Sequence, residues 1–148
     1  MKKNLGISQL MLVVIIFQLV VEKEVFAQNS MAVIVHESVE TNKLDKNEVL
    51  NIYLLRKQLW DSNKRIRIAD YKGNSSIRIA FYNFFNTTPT NIKKIWLRAQ
   101  FTGRSIPPIV VDSVDEMWKV VLENPGTIGY VPINQVPVNA KILLQIDG

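Results

Sequence analysis

A chain of 148 residues, 47% hydrophobic and free of low-complexity tracts, is long enough for one packed domain and too apolar to stay disordered. The absence of cysteine excludes disulfides, a lipidated cysteine anchor and thiolate metal or redox chemistry. The net charge of +5 is modest and spread along the chain; its densest cluster, Lys64-Arg65 with Arg67, alternates into a strand, so no nucleic-acid partner is expected.

The N-terminus reads as a secretory leader. Lys2 and Lys3 precede an apolar run from Leu10 to Val21, and Val25 and Ala27 make a small-x-small cleavage signal. The run is 12 residues long, whereas a spanning helix takes about 20 apolar residues. Residues 1–27 are therefore expected to be a signal peptide cleaved before Gln28, with residues 28–148 as one exported domain. Membrane contact is expected only through the leader. An uncleaved anchor, encouraged by Glu22-Lys23-Glu24, is the alternative. The exported part keeps 15 basic and 11 acidic residues, a net +4.

Met31-Ala32-Val33-Ile34-Val35-His36 is rich in β-branched residues and nearly continuous, which predicts a strand buried on both faces as in a parallel sheet. Asp45 with Glu48 forms a capping box, and Val49, Leu50, Tyr53 and Leu54 recur at helical spacing, predicting a helix over 46–56. Trp60 and Asp61 occupy a turn, and Arg65 to Ala69 alternates as a strand with one face covered. After Gly73-Asn74-Ser75-Ser76, the residues Ile77, Ala80, Phe81, Phe84 and Phe85 share one helical face.

Thr90 opens a third helix through Ile92, Ile95, Trp96 and Ala99, broken before Pro107-Pro108. Ile109-Val110-Val111 is a short strand. Ser113 with Glu116 makes a second capping box before Val114, Met117, Trp118, Val121 and Leu122. Thr127 to Val131 and Lys141 to Ile146 are the last strands. The order β, α, β, α, α, β, α, β, β predicts an α/β fold with ligands near the carboxyl ends of strands.

Equipment for catalysis is sparse. His36 is the single histidine and reads as a strand-end residue with a structural hydrogen bond, and the carboxylates are too scattered for a metal site. A Ser75 or Ser76 nucleophile lacks the Gly-x-Ser-x-Gly elbow that would expose its hydroxyl. No catalytic residue, metal or cofactor is expected. Trp60, Trp96 and Trp118 read as core residues. The stronger candidate is an anion site at Gly73, Asn74, Ser75 and Ser76, where a helix N-terminus presents free N–H groups, with Arg78 leaning back to add a charged donor. The competing reading makes Ser75 a plain N-cap and Arg78 a solvated helix residue.

The order of these motifs resembles the substrate-binding proteins of phosphate ABC transporters, the PstS-like family. The likeness is carried by Ala32 to His36, by Val49 to Leu54 followed by Trp60, by the Ser75 loop with Phe81, by Trp96 before Phe101-Thr102-Gly103, and by Pro125-Gly126-Thr127-Ile128-Gly129-Tyr130-Val131, the most specific of the set. The resemblance implies about one lobe of a type II periplasmic-binding-protein fold, a mixed and mostly parallel sheet with helices on both faces. It also implies a periplasmic, non-enzymatic solute-binding domain that takes phosphate or a similar oxyanion and meets an ABC permease or another envelope protein. The sequence departs from the family's Ser-Gly-Thr anion loop: Ser75 is followed by Ser76 and Ile77, and the family's Arg and Asp positions hold Tyr71 and Gly73, with Asp70 and Lys72 beside them. A lobe that has lost its anion site and serves as a protein-interaction or structural module of the envelope is the second expectation.

Overall fold

The computed structural model describes residues 30–147, so the leader expected at residues 1–27 lies outside the described residues. Five strands form one sheet in the order β3-β2-β4-β1-β5. They are β1 (Met31–Val35), β2 (Arg67–Tyr71), β3 (Ile109–Val111), β4 (Thr127–Pro132) and β5 (Lys141–Ile146). The helices are α1 (Lys46–Tyr53), α2 (Ser76–Phe84), α3 (Pro89–Phe101) and α4 (Val114–Glu123), with a 3-10 turn at Ile133–Gln135. Strands and helices follow one another in the order the sequence periodicity predicts.

β2 runs parallel to both β3 and β4, whereas β1 is antiparallel to both β4 and β5. The sheet is thus mixed, with parallel and antiparallel pairings in equal number. All five residues of β1 are buried, as the apolar run requires, but burial on both faces carries no information about neighbour direction. The parallel setting expected for β1 is corrected on that ground.

Helices cover both faces. Gly129 of β4 faces α4 so closely that an added Cβ would stand 2.5 Å from Met117 Sδ. The next residue, Tyr130, points to the opposite face and stacks on Phe81 of α2 with ring centroids 3.6 Å apart. This explains the Pro125 to Val131 motif physically. Gly126 adopts φ +78° beside the Arg65 carbonyl, Gly129 admits α4, and Tyr130 closes the other side.

Three boundaries move. α1 stops at Tyr53, because Leu54 caps it and Leu55 turns to φ 60°. β2 begins two residues later than the alternation suggests and runs on through Asp70 and Tyr71, both buried. α3 begins at Pro89 with Thr88 as its N-cap. The capping box at α1 is complete, each of Asp45 and Glu48 accepting the other's backbone N–H at 2.8 Å. At α4 Ser113 accepts from Glu116 N, but the Glu116 carboxylate accepts from Asp112 N instead of closing the box.

Candidate functional site

The carboxyl end of β2 delivers Asp70 into the interior, 1% exposed. Burying a carboxylate is costly unless it is paired and hydrogen-bonded. Both oxygens are engaged: Arg78 Nε donates to Oδ2 at 2.7 Å and the Tyr130 hydroxyl donates to Oδ1 at 2.7 Å. Burial pushes the Asp70 carboxyl above the ordinary aspartate range, while the Arg78 charge and the Tyr130 and Arg78 hydrogen bonds pull it back.

Around this pair stand all four tyrosines of the chain. Tyr53 donates to the Ala69 carbonyl at 3.3 Å and Tyr71 to the Tyr130 carbonyl at 3.2 Å. Tyr82 lies under the Arg78 guanidinium, 5.6 Å from its ring, and its buried hydroxyl makes no hydrogen bond of ordinary geometry. Desolvation, with the Asp70 charge next, raises the hydroxyl pKa of every one of the four, and that of Tyr53, Tyr82 and Tyr130 far above 10.0. The rings meet edge-to-face apart from the Phe81–Tyr130 stack, the arrangement that their quadrupoles favour.

The loop from Lys72 to Ser75 carries the chain over this cluster to α2. Gly73 and Asn74 are exposed, Ser75 is half-buried and Ser76 is exposed. The Ser75 oxygen accepts from Arg78 N at 3.3 Å, so Ser75 is the N-cap of α2. Arg78 is buried, not solvated, and a second guanidinium nitrogen, Nη1, donates to the Gly73 carbonyl. The guanidinium thereby ties the loop to Asp70.

A groove of about 570 Å³ opens beside the loop. Gly73, Asn74 and Arg78 border it, together with Asp70 and Lys72, and α3 supplies Thr90, Lys93 and Gln100 opposite. Ser75 and Ser76 do not line it. Nη2 of Arg78 enters none of the guanidinium's hydrogen bonds. Beside Tyr71, the remaining walls are apolar: Pro89, Trp96, Leu97, Pro107, Pro108 and Val110. Lys72 is partly neutralised by Asp112 at 3.6 Å. The groove therefore presents positive donors and no free acid, since its one carboxylate is matched by Arg78.

Of the sequence candidates, the structure brings Gly73, Asn74 and Arg78 to one groove. The sequence pattern does not mark Asp70, Tyr130, Thr90, Lys93 or Gln100 as site residues. Asp70 and Tyr130 had no periodic signal, being polar groups inside strands. Thr90 and Lys93 fall on the exposed arc of an amphipathic helix, which could have marked them.

His36, Trp60 and Trp96 have structural partners. His36 Nδ1 accepts from Ser38 N at 2.9 Å and lies 2.8 Å from Ser38 Oγ. Trp60 donates to the Gly126 carbonyl and Trp96 to the Tyr53 carbonyl, so both pin core elements, while Trp118 is half-buried. Among the described residues no group of three His, Asp or Glu side chains converges as a metal site.

The fold is similar to part of two solved structures. The chain superposes on an ABC-type phosphate transport receptor from Vibrio cholerae with a TM-score of 0.61 and 16% identity, over 77% of this chain and 45% of that one. It superposes on a putative phosphate ABC transporter substrate-binding protein with bound phosphate from Clostridium perfringens with a TM-score of 0.64 and 16% identity, over 77% of this chain and 44% of that one. The chain thus spans less than half the length of either. No family model and no curated protein matches the sequence. The likeness lies in the fold: a periplasmic-binding-protein-like sheet with helices on both faces.

Proposed function

We propose that this chain is an exported, non-catalytic solute-binding domain of the periplasm whose groove at Gly73, Asn74 and Arg78 receives phosphate or a similar oxyanion. The observation that carries the reading is the groove itself: the N-terminal loop of α2 opens onto a space bordered by Arg78, Lys93 and Lys72, whose one carboxylate is already paired. An oxyanion there would meet charge-assisted donors and the positive end of a helix without facing an unpaired acid. Ser75 and Ser76 act by shaping the helix terminus rather than by lining the groove. Handover to an ABC permease, and export by the leader at residues 1–27, belong to the same proposal.

A second reading, an envelope interaction module without anion binding, draws on two specific features. Arg78 already spends two of its nitrogens on Asp70 and Gly73, and most of the groove surface is apolar. Isothermal titration with phosphate separates the two readings. The solute-binding reading expects heat and a thermal shift at millimolar phosphate, both diminished by Lys93→Ala. Neither signal at that concentration would leave the interaction module standing. Lys93 is the better control than Arg78, because it is exposed and has no structural partner to strand.

A further inference from the structure

From Tyr71 to Val111 the chain contains no acidic residue but six basic ones: Lys72, Arg78, Lys93, Lys94, Arg98 and Arg104. The rest of the exported chain has nine basic and 11 acidic residues, so this single stretch carries more than the whole net positive charge. The charge is not spread along the chain after all. It is sorted onto the loop after β2, α2, α3 and the connection to β3.

α3 concentrates it. Lys93, Lys94, Leu97, Arg98 and Phe101 are all exposed, and at 100° per residue they fall within an arc of about 140°. The opposite arc holds the buried Ile92 and Trp96. Leu97 and Phe101 occupy the middle of the exposed arc, one turn apart; Phe101 is 89% exposed. Cations flank them on both sides. Lys93 leans into the groove described above, whereas Lys94 and Arg98 line a second groove with Arg104. α3 is therefore a ridge between two hollows, apolar along its crest and basic along its shoulders.

We propose that this ridge docks the protein on an anionic lipid surface. A convex crest offers no pocket for a protein side chain to fill, but it suits a soft plane into which Leu97 and Phe101 sink while the shoulder cations meet phosphate-bearing headgroups. An amphipathic helix with aromatic and aliphatic residues on one side and Lys and Arg beside them lies in such an interface. α3 has 13 residues, too few to span a bilayer, so its contact is peripheral and salt-sensitive. The ridge meets the solute groove at Lys93 and Leu97, whereas Lys94, Arg98 and Phe101 stand clear of it, so these three separate docking from solute binding.

The test is co-sedimentation of the chain from Gln28 onward, which holds every strand of the sheet and every core residue described above, with vesicles of phosphatidylglycerol and phosphatidylcholine or of phosphatidylcholine alone. The proposal expects binding to the anionic vesicles, loss of that binding as salt rises, and little binding to the neutral ones. Phe101→Ser should weaken binding by about tenfold, and Lys94→Ala with Arg98→Ala by about tenfold or more, with unfolding midpoints unchanged. Equal binding to both vesicle types, no binding to either, or indifference to both variants overturns it. Release by inorganic phosphate but not by chloride of equal ionic strength would assign the contact to the Gly73 loop and overturn it as well.

Discussion

The Asp70 cluster and the exposed arc of α3 are neighbours, joined where Trp96 of α3 donates to the Tyr53 carbonyl, yet they obey opposite rules. Around Asp70 every charge has an internal partner and hydrogen bonds link β2, α2 and β4 into one unit. Along the arc two large apolar side chains face solvent between unmatched cations. A closed polar core fixes where the Gly73 loop stands; an open, unbalanced surface is what a ligand or a partner can use. The molecule thus separates the residues that hold the site from those that meet something outside it.

The sharpest way to break this contrast is Arg78→Met. It leaves Asp70 buried without its counter-charge, and the expected cost is about 3–5 kcal/mol in urea unfolding. Adding Asp70→Asn should restore part of that loss, because the stranded charge is then gone. A cost under about 1 kcal/mol for Arg78→Met would show that the pair is not the keystone of the loop.

Next in size is Gly129→Ala, which forces a methyl group to within 2.5 Å of Met117 Sδ and 3.2 Å of Val121 Cγ2. Overpacking of this kind costs about 1–3 kcal/mol, visible as a lower unfolding midpoint with the fold retained.

A gentler probe is alkaline pH. The tyrosines hold their protons in the folded state beyond the pH at which unfolded tyrosines, near 10.0, release them. With folded values raised, their contribution to stability is complete below about pH 10 and is lost as pH rises past it. Tyrosinate absorbance should therefore appear in one step together with loss of near-UV dichroism. Independent titration of tyrosines in a still-folded protein would contradict the closed cluster.

The smallest expected effect lies on the arc, where Phe101→Ser should move stability by no more than about 0.5 kcal/mol, because Phe101 is 89% exposed.

Much of the fold was legible in the sequence, and for identifiable reasons. Apolar runs marked β1, β3, β4 and β5, and Asp45, Ser75 and Ser113 each cap the helix they precede. The alternation places β2 two residues early because the strand's last residues include Asp70, a residue type that pattern reading puts at a strand's end rather than inside it. The antiparallel setting of β1 was invisible because a strand buried on both faces looks the same whichever way its neighbours run.

The site was half legible. A Gly-Asn-Ser-Ser turn before an apolar helix marks an N-terminus that can face an anion, and Gly73, Asn74 and Arg78 do border a groove. The fixing of Arg78 by Asp70 joins two elements across the sheet surface, a tertiary fact that no local spacing encodes. The acid-free stretch from Tyr71 to Val111 escapes a reading of the net charge as spread along the chain, and the helical wheel of α3 turns it into a surface.

The most direct measurement of the proposed solute site is a titration of the isotopically labelled protein with inorganic phosphate, followed by backbone amide and Arg78 Nε–H resonances. The account predicts saturable shifts at Gly73, Asn74, Ser75 and Arg78 together with Lys93, at positions that Lys93→Ala weakens. Shifts that never saturate, or that follow only the exposed cations Lys94, Arg98 and Arg104, would contradict it.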